Sequence, residues 1–240
     1  MAMSDDLSLP IVWVPGHLCG AWLYAPLLRQ LGPGLLADVN RDADLGTMAD
    51  RLLANAPERF VVAGLSMGAM VAMETMVRAP DRVLGAVLIA TDPTAARDKE
   101  RAWRQGWRER ARREGTGSFV SEFAGKMFDH DPVMAAQLLG KVEAEMAAVP
   151  LQVFERQADA LDARRAMGPL LSGYTGPVEV IVGAEDQVCP PQLHRPLAAA
   201  MPHAALTELP YVGHLATLEA ADAIAERFLL LLGRIAETEV

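Results

Sequence analysis

The chain has 240 residues, 51% of them hydrophobic, and a formal net charge of −9. That length supports one substantial core, and the acidic balance argues against a nucleic-acid partner, whose phosphate backbone asks for a cationic face. Two cysteines, Cys19 and Cys189, form no spaced cluster, so neither a disulfide framework nor a Cys-rich zinc site is expected, and a cytoplasmic setting is.

The first ten residues put Asp5 and Asp6 ahead of a very short apolar run, where a secretory signal has basic residues and a longer apolar stretch; no signal is expected. Short apolar runs then alternate with helical spacing, which predicts an α/β fold with a mostly parallel sheet of six or seven strands covered on both faces. Ile11–Val14 is the first strand, broken by Pro15-Gly16. Ala21–Leu31 reads as a helix ended by Gly32-Pro33-Gly34, Leu35–Val39 as a weaker strand, and Thr47–Ala54 as a second helix. Phe60–Ala63 is a strand running into Gly64-Leu65-Ser66-Met67-Gly68, followed by an Ala/Met-rich helix to Arg78 and a strand from Val83 to Ala90. Strands at Val178–Val182 and Ala204–Leu209 flank a helix at Gln192–Met201, and the closing helix is Ala221–Ile235. The apolar run Phe228–Leu232 is far shorter than a membrane span, and no membrane partner is expected. Residues 93–173 have no convincing strand and are rich in Arg, Glu, Ala and Leu at helical spacing. They are expected to form a helical cap inserted into a core made of residues 1–92 and 174–240.

The strongest chemical signal is Ser66 between a strand and a helix. A serine at a sharp strand-to-helix turn is pushed out at the carboxyl edge of the sheet, with glycines two residues away on each side where a β-carbon would clash. The following helix points free N–H groups at that hydroxyl, and the Met67 N–H is placed to stabilise an oxyanion. A serine nucleophile needs a base. Of His17, His130, His194, His203 and His214, only His214 sits in a turn after the last strand, on the same edge as Ser66. His203 precedes a strand on the opposite edge, His194 lies in a helix and His130 in the cap. A carboxylate must hold the base's tautomer. Asp186, on the loop leaving Val178–Val182, fits best; Glu185 is expected to point elsewhere, and Asp92, after the strand ending at Ala90, remains a rival on the same edge.

The order Ser66, Asp186, His214 on alternating strands and helices resembles the α/β-hydrolase superfamily, from Ile11 to the closing helix. The resemblance implies an antiparallel strand pair at the start of the sheet, for which only about ten residues are present here. It also implies a second oxyanion donor in the loop Pro15-Gly16-His17-Leu18-Cys19-Gly20, by position the His17 N–H, with Leu18 the less favoured choice. Members usually show His-Gly where this chain has Pro-Gly.

In the cap, Trp103 and Trp107 are four apart and share a helix face inside the Arg-rich run 97–113. That run reads as a solvated face with acidic partners or as an attraction for an anionic substrate. Leu18, Trp103, Trp107, Met127 and Phe128 are candidate pocket residues, with Met134, Met146 and Phe154 equally suited to lining or to cap core. The constellation predicts a serine hydrolase of the carboxylesterase or lactonase type, acting on a small-molecule ester or lactone with no metal and no organic cofactor. The same three residues also suit a carbon–carbon hydrolase, a thioesterase or an acyltransferase, and a slow-turnover ligand-binding protein is the reading from a different class.

Overall fold

The computed structural model describes residues 9–128 and 131–238, so His130 lies outside the described residues. Strands β1 (Ile11–Val14), β2 (Leu35–Leu36), β3 (Phe60–Leu65), β4 (Val83–Ile89), β5 (Val178–Gly183) and β6 (Ala204–Leu209) form one six-stranded sheet in the order β2-β1-β3-β4-β5-β6. Every pairing among the described residues is parallel, and the antiparallel pair implied by the resemblance is not among them. The strand expected over Leu35–Val39 contracts to two exposed edge residues paired with Val12 and Trp13.

The sheet is buried on both faces, and successive side chains alternate between two apolar cores. Ile11, Trp13, Val61, Ala63, Val87, Ile89 and Ile181 enter one core; Val12, Val14, Phe60, Val62, Ala86, Leu88 and Val180 enter the other. The first core is covered by α1 (Ala25–Leu31) and α11 (Ala221–Thr238), which contribute Leu27, Phe228, Leu231 and Ile235. The second is covered by α2 (Leu45–Asn55), α3 (Met67–Arg78) and α9 (Pro191–Ala199). The helix expected from Ala21 divides: Ala21–Tyr24 is a 3-10 turn, and α1 begins afresh with Pro26 in its first turn, where a missing N–H costs nothing. Asp44 starts α2 two residues before the expected position by accepting the Thr47 N–H at 2.9 Å.

Between β4 and β5 lie α4 (Asp98–Glu114), α5 (Gly117–Phe128), α6 (Pro132–Ala147), α7 (Leu151–Ala163) and the short α8 (Gly168–Leu171), with a short α10 (Ala216–Glu219) after β6. In the first of these, Glu100 accepts the Arg97 N–H at 3.0 Å and so satisfies one orphan donor at the helix start. Aromatic rings knit α4, α5 and α7: Trp107 stacks on Phe119 at 4.9 Å, and Phe119 meets Phe154 at 4.8 Å. These rings join the same apolar core as β1, α1 and α11.

Chain direction across the sheet reverses at β1, since β2 lies to one side of it and β3 to the other. The loops leaving β1 and β3 therefore diverge and open a crevice at the carboxyl edge, the usual ligand position in such sheets. A buried phenol closes the strands beneath it. Tyr24 donates its hydroxyl to Val14 O at 2.6 Å and accepts the Leu65 N–H at 3.0 Å.

Candidate active site

Ser66 occupies the one-residue turn between β3 and α3, with φ 58° and ψ −118°. A non-glycine residue in that region costs roughly 1–3 kcal/mol, so the surroundings must enforce it. They do so with backbone bonds: Ser66 N–H donates to Ile89 O at 2.8 Å, and its carbonyl accepts from Ala69 N, Met70 N and the Thr91 hydroxyl. The flanking glycines are required by contact. A β-carbon on Gly64 would lie 2.4 Å from the Gly68 carbonyl carbon, and one on Gly68 would lie 1.9 Å from Val14 O. Thus the turn presses directly on the end of β1 and the loop that follows it.

Asp186 and His214 leave the carboxyl ends of β5 and β6, the same edge of the sheet as Ser66. Both are buried, and His214 Nδ1 lies 2.8 Å from Asp186 Oδ2. The other carboxylate oxygen accepts the N–H groups of Val188 and Cys189, each at 2.8 Å, which fixes the carboxyl plane. Glu185 is exposed. Asp92 is buried but turned elsewhere: Oδ1 accepts from Thr94, and Oδ2 faces Arg164 at 3.1 Å and Arg97 at 3.2 Å. Among the described residues no hydrogen bond joins the Ser66 hydroxyl to His214, and such bonds often tighten only when substrate is bound.

Two positioning residues escaped the sequence reading. Glu219 accepts the Gly213 N–H at 2.8 Å and the Leu215 N–H at 2.9 Å, bracketing His214 from both sides. A carboxylate five residues after a candidate histidine, at a helix start, was the available signal. His194 is fully buried, and its Nε2 accepts the Thr91 N–H at 2.8 Å, so its proton sits on Nδ1, facing Pro190 O at 3.2 Å. Burial pushes its pKa down, consistent with the neutral ring that this bond needs. It links the Asp186 loop to Thr91 and hence to the Ser66 carbonyl. His203 is exposed, as its position before β6 implies.

In the loop after β1, the Leu18 N–H donates to Gln157 Oε1 on α7 at 2.9 Å, while that amide's nitrogen donates to Asn40 Oδ1 at 3.0 Å. Neither the His17 N–H nor the Met67 N–H has a protein acceptor among the described residues. The His17 ring is buried beside Phe154 and Phe123, with no hydrogen-bond partner on either nitrogen. Burial, reinforced by the Arg104 charge, lowers its pKa to about 3; the nearby Gln157 amide opposes the shift, but its hydrogen bonds go to Leu18 and Asn40.

A cavity of about 80 Å³ touches Ser66 and is lined by His17, Trp103, Trp107, Phe123 and Arg104 among others. Trp103 and Trp107 lie 3.9 Å apart and share one helix face. Leu18, Met127 and Phe128 do not line this cavity; all three are buried in the apolar core, as are Met146 and Phe154. Much of the Arg-rich run is paired on the surface, including Arg101 with Asp98 and Arg112 with Glu155. Two turn inward: Arg104 is buried on the Trp107 and Ala111 face of α4, and Arg108 is largely covered. The spacing of Arg104, three and seven residues from Trp107 and Ala111, was the signal for its inward position.

A parallel sheet with a strained serine at a strand–helix turn and a buried His–Asp pair at the same sheet edge is the architecture of one large class of hydrolases. The chain belongs to it: the sequence model of the alpha/beta hydrolase family matches residues 11–227. Over 178 residues the chain is 29% identical to a provisionally named non-heme bromoperoxidase, BpoC, of Mycobacterium tuberculosis. That match takes in 70% of this chain and 65% of the relative, less than two thirds of its length. A pimeloyl-[acyl-carrier protein] methyl ester esterase of Aromatoleum aromaticum is 30% identical over 207 residues, 76% of this chain and 77% of that protein. Among solved structures, a thermophilic esterase of Thermogutta terrifontis superposes with a TM-score of 0.84 at 21% identity, covering 95% of this chain and 90% of the other. The fold is therefore that of the alpha/beta hydrolases, and the family relatives include esterases.

Proposed function

We propose that this protein is a serine hydrolase that cleaves a carboxylic ester or lactone of a small molecule through an acyl-enzyme on Ser66. The observation that carries the reading is the buried 2.8 Å contact between His214 Nδ1 and Asp186 Oδ2, at the same sheet edge as a serine held at φ 58°. With Nδ1 donating to Asp186, Nε2 is the free basic nitrogen. It takes the Ser66 proton as the oxygen attacks the carbonyl carbon, and Asp186 stabilises the imidazolium that forms. The Met67 and His17 N–H groups, both without protein acceptors among the described residues, receive the oxyanion; the Leu18 N–H is already engaged by Gln157, which favours His17 over it. His214 then returns the proton to the leaving alcohol, and water repeats the sequence on the acyl group. The helices between β4 and β5 act as the cap, and the segment 98–171 supplies Trp103, Trp107 and Arg104 to the cavity. The two free, buried cysteines support a reducing, cytoplasmic setting.

The test is hydrolysis of nitrophenyl esters from acetate to decanoate, with several lactones, by the native protein and by Ser66→Ala. Multiple turnovers that vanish with the substitution are expected, with the shorter chains favoured by the small cavity. Equal activity in both proteins, or none in the native one, sinks the reading.

A further inference from the structure

Arg104 presents an unusual combination of burial and incomplete pairing. It is 6% exposed and lines the cavity at Ser66, and its Nε lies 2.5 Å from Asp162 Oδ1, yet Nη2 is buried with no hydrogen-bond partner. Arg108, one turn further along α4, is also largely buried; it shares Asp162 at 3.1 Å, and its Nε is likewise unpartnered. The second carboxylate reached by Arg108 is Asp159, whose side chain is 56% exposed and so is screened by water. Buried Arg104 therefore shares the part-buried Asp162 with Arg108, which has Asp159 at 2.7 Å as well. Leaving a charged donor unsatisfied inside a protein is costly, and a ligand acceptor removes that cost.

The neighbouring charges narrow the ligand. Arg164 is matched within its own cluster, at 3.1 Å from Asp92 and 2.7 Å from Glu100, with Arg97 completing the set. Asp92 and Glu100 also touch the cavity, so a dianionic phosphate would meet two like charges there. A single carboxylate suits one guanidinium edge. His17 beside it is neutral and offers a ring N–H as a second donor. A wider groove of about 650 Å³ shares Glu100, Trp103 and Val188 with the cavity and is flanked by Arg97, Lys99 and Lys126. This acidic protein thus presents a cationic mouth toward its cavity.

We propose that the acyl part of the substrate carries a second, ionised carboxyl group that pairs with Arg104 Nη2, so that the protein cleaves half-esters of short dicarboxylic acids. The proposal rests on the ester-cleaving reading above. Ser66 Oγ bonds to the ester carbonyl carbon, the alkoxy bond breaks, and the proton from Ser66 leaves with the alcohol. Water then releases the dicarboxylic acid, and the distal carboxylate takes no part in bond changes.

The experiment compares monoethyl glutarate with ethyl pentanoate, two substrates of equal chain length that differ in the terminal carboxylate. Acid release is followed for the native protein, Arg104→Gln and Arg104→Lys, the last retaining the charge opposite Asp162. In the native protein the half-ester is expected to exceed the neutral ester in kcat/KM by about tenfold to hundredfold, the range for one charged hydrogen bond. That ratio should collapse in Arg104→Gln and be partly kept in Arg104→Lys. Calorimetric binding of glutarate itself to native protein, lost in Arg104→Gln, needs no turnover. Hydrolysis of both esters at equal efficiency by the native protein, or a ratio unmoved by Arg104→Gln, overturns the carboxylate site while leaving the serine reading intact. If no ester turns over, the serine reading fails, and glutarate binding alone then decides the site: binding that depends on Arg104 supports it, and absence of binding overturns it.

Discussion

Gln157→Leu preserves the bulk of a side chain on α7 and removes both ends of its amide. The Leu18 N–H, now 2.9 Å from Gln157 Oε1, would be left inside the protein without an acceptor. On the other end the amide loses Asn40, at 3.0 Å, which is exposed and regains water, and a long 3.5 Å bond to Val39 O, so that end adds little. One buried, unsatisfied N–H costs about 1–3 kcal/mol. In a chain of this size each kcal/mol lowers Tm by about 2–4 °C, so the melting midpoint should fall by roughly 2–12 °C. Kinetics should move as well. Leu18 stands at φ 59° directly after His17, and without its tether the proposed His17 donor is free to shift. A displacement on the order of 1 Å costs about 10²-fold in rate, so kcat is expected to fall more than KM rises. Differential scanning calorimetry and ester kinetics on the same preparation check both effects. A midpoint within about 1 °C of native together with an unchanged kcat would refute the reasoning.

Further predictions concern His17 and the two aspartates. The ordinary histidine value is 6.5 and the folded protein holds His17 at about 3, so the unfolded chain takes up a proton that the folded chain refuses. The stability that this ring contributes is complete above pH 6.5 and is lost as pH falls toward 3, at up to about 1.4 kcal/mol per pH unit. Tm should therefore drop less steeply between pH 6.5 and about 5 in His17→Phe than in native protein, and equal slopes would count against the buried neutral ring. Asp186→Asn keeps the acceptor for Val188 and Cys189 but offers His214 an N–H in place of a charge. A loss of about 10⁴-fold in kcat with little change in Tm is expected, by analogy with that exchange in a Ser-His-Asp triad. Asp92→Asn should do the reverse, costing on the order of 1–3 kcal/mol in stability because Arg164 keeps Glu100 as its one carboxylate, beside the Thr94 and Leu161 carbonyls. If melting and turnover respond the other way round, the acid's role passes to Asp92.

The parts of this protein that were legible in its sequence are those encoded by neighbours in the chain. Ile11–Val14 and Phe60–Leu65 are continuous apolar runs because both faces of the sheet are covered, and Gly64-x-Ser66-x-Gly68 announces its own turn through the crowding at each glycine. Asp186 and His214 follow from strand ends that share one edge. What stayed hidden depends on contacts across the fold. Gln157 lies 139 residues from Leu18, and nothing in the residues around either announces the bond. Arg104 sits in a run of arginines that are similar in sequence and different in burial, and only the inward position of Trp107 and Ala111 separates it from the solvated ones. Leu18 and Phe128 show the same limit from the other side, since an apolar residue near a site lines a cavity or fills a core according to packing that periodicity does not encode.

The Tyr24 phenol gains a different meaning once the two proposed oxyanion donors are considered together. His17 and Met67 lie just beyond the ends of β1 and β3, and the hydroxyl that joins Val14 O to the Leu65 N–H spans those same two strand ends. The gap between the strand ends that carry the donors is thereby set during folding, by backbone pairing and one buried ring, with Gln157 tethering the loop beyond β1, before any substrate arrives. A hole built in advance spends no reorganisation energy at the moment charge appears on the carbonyl oxygen. Variation in the helices that follow β4 is free to reshape what enters the crevice so long as Gln157 keeps its bond to Leu18, while Tyr24 holds the two strand ends together beneath it.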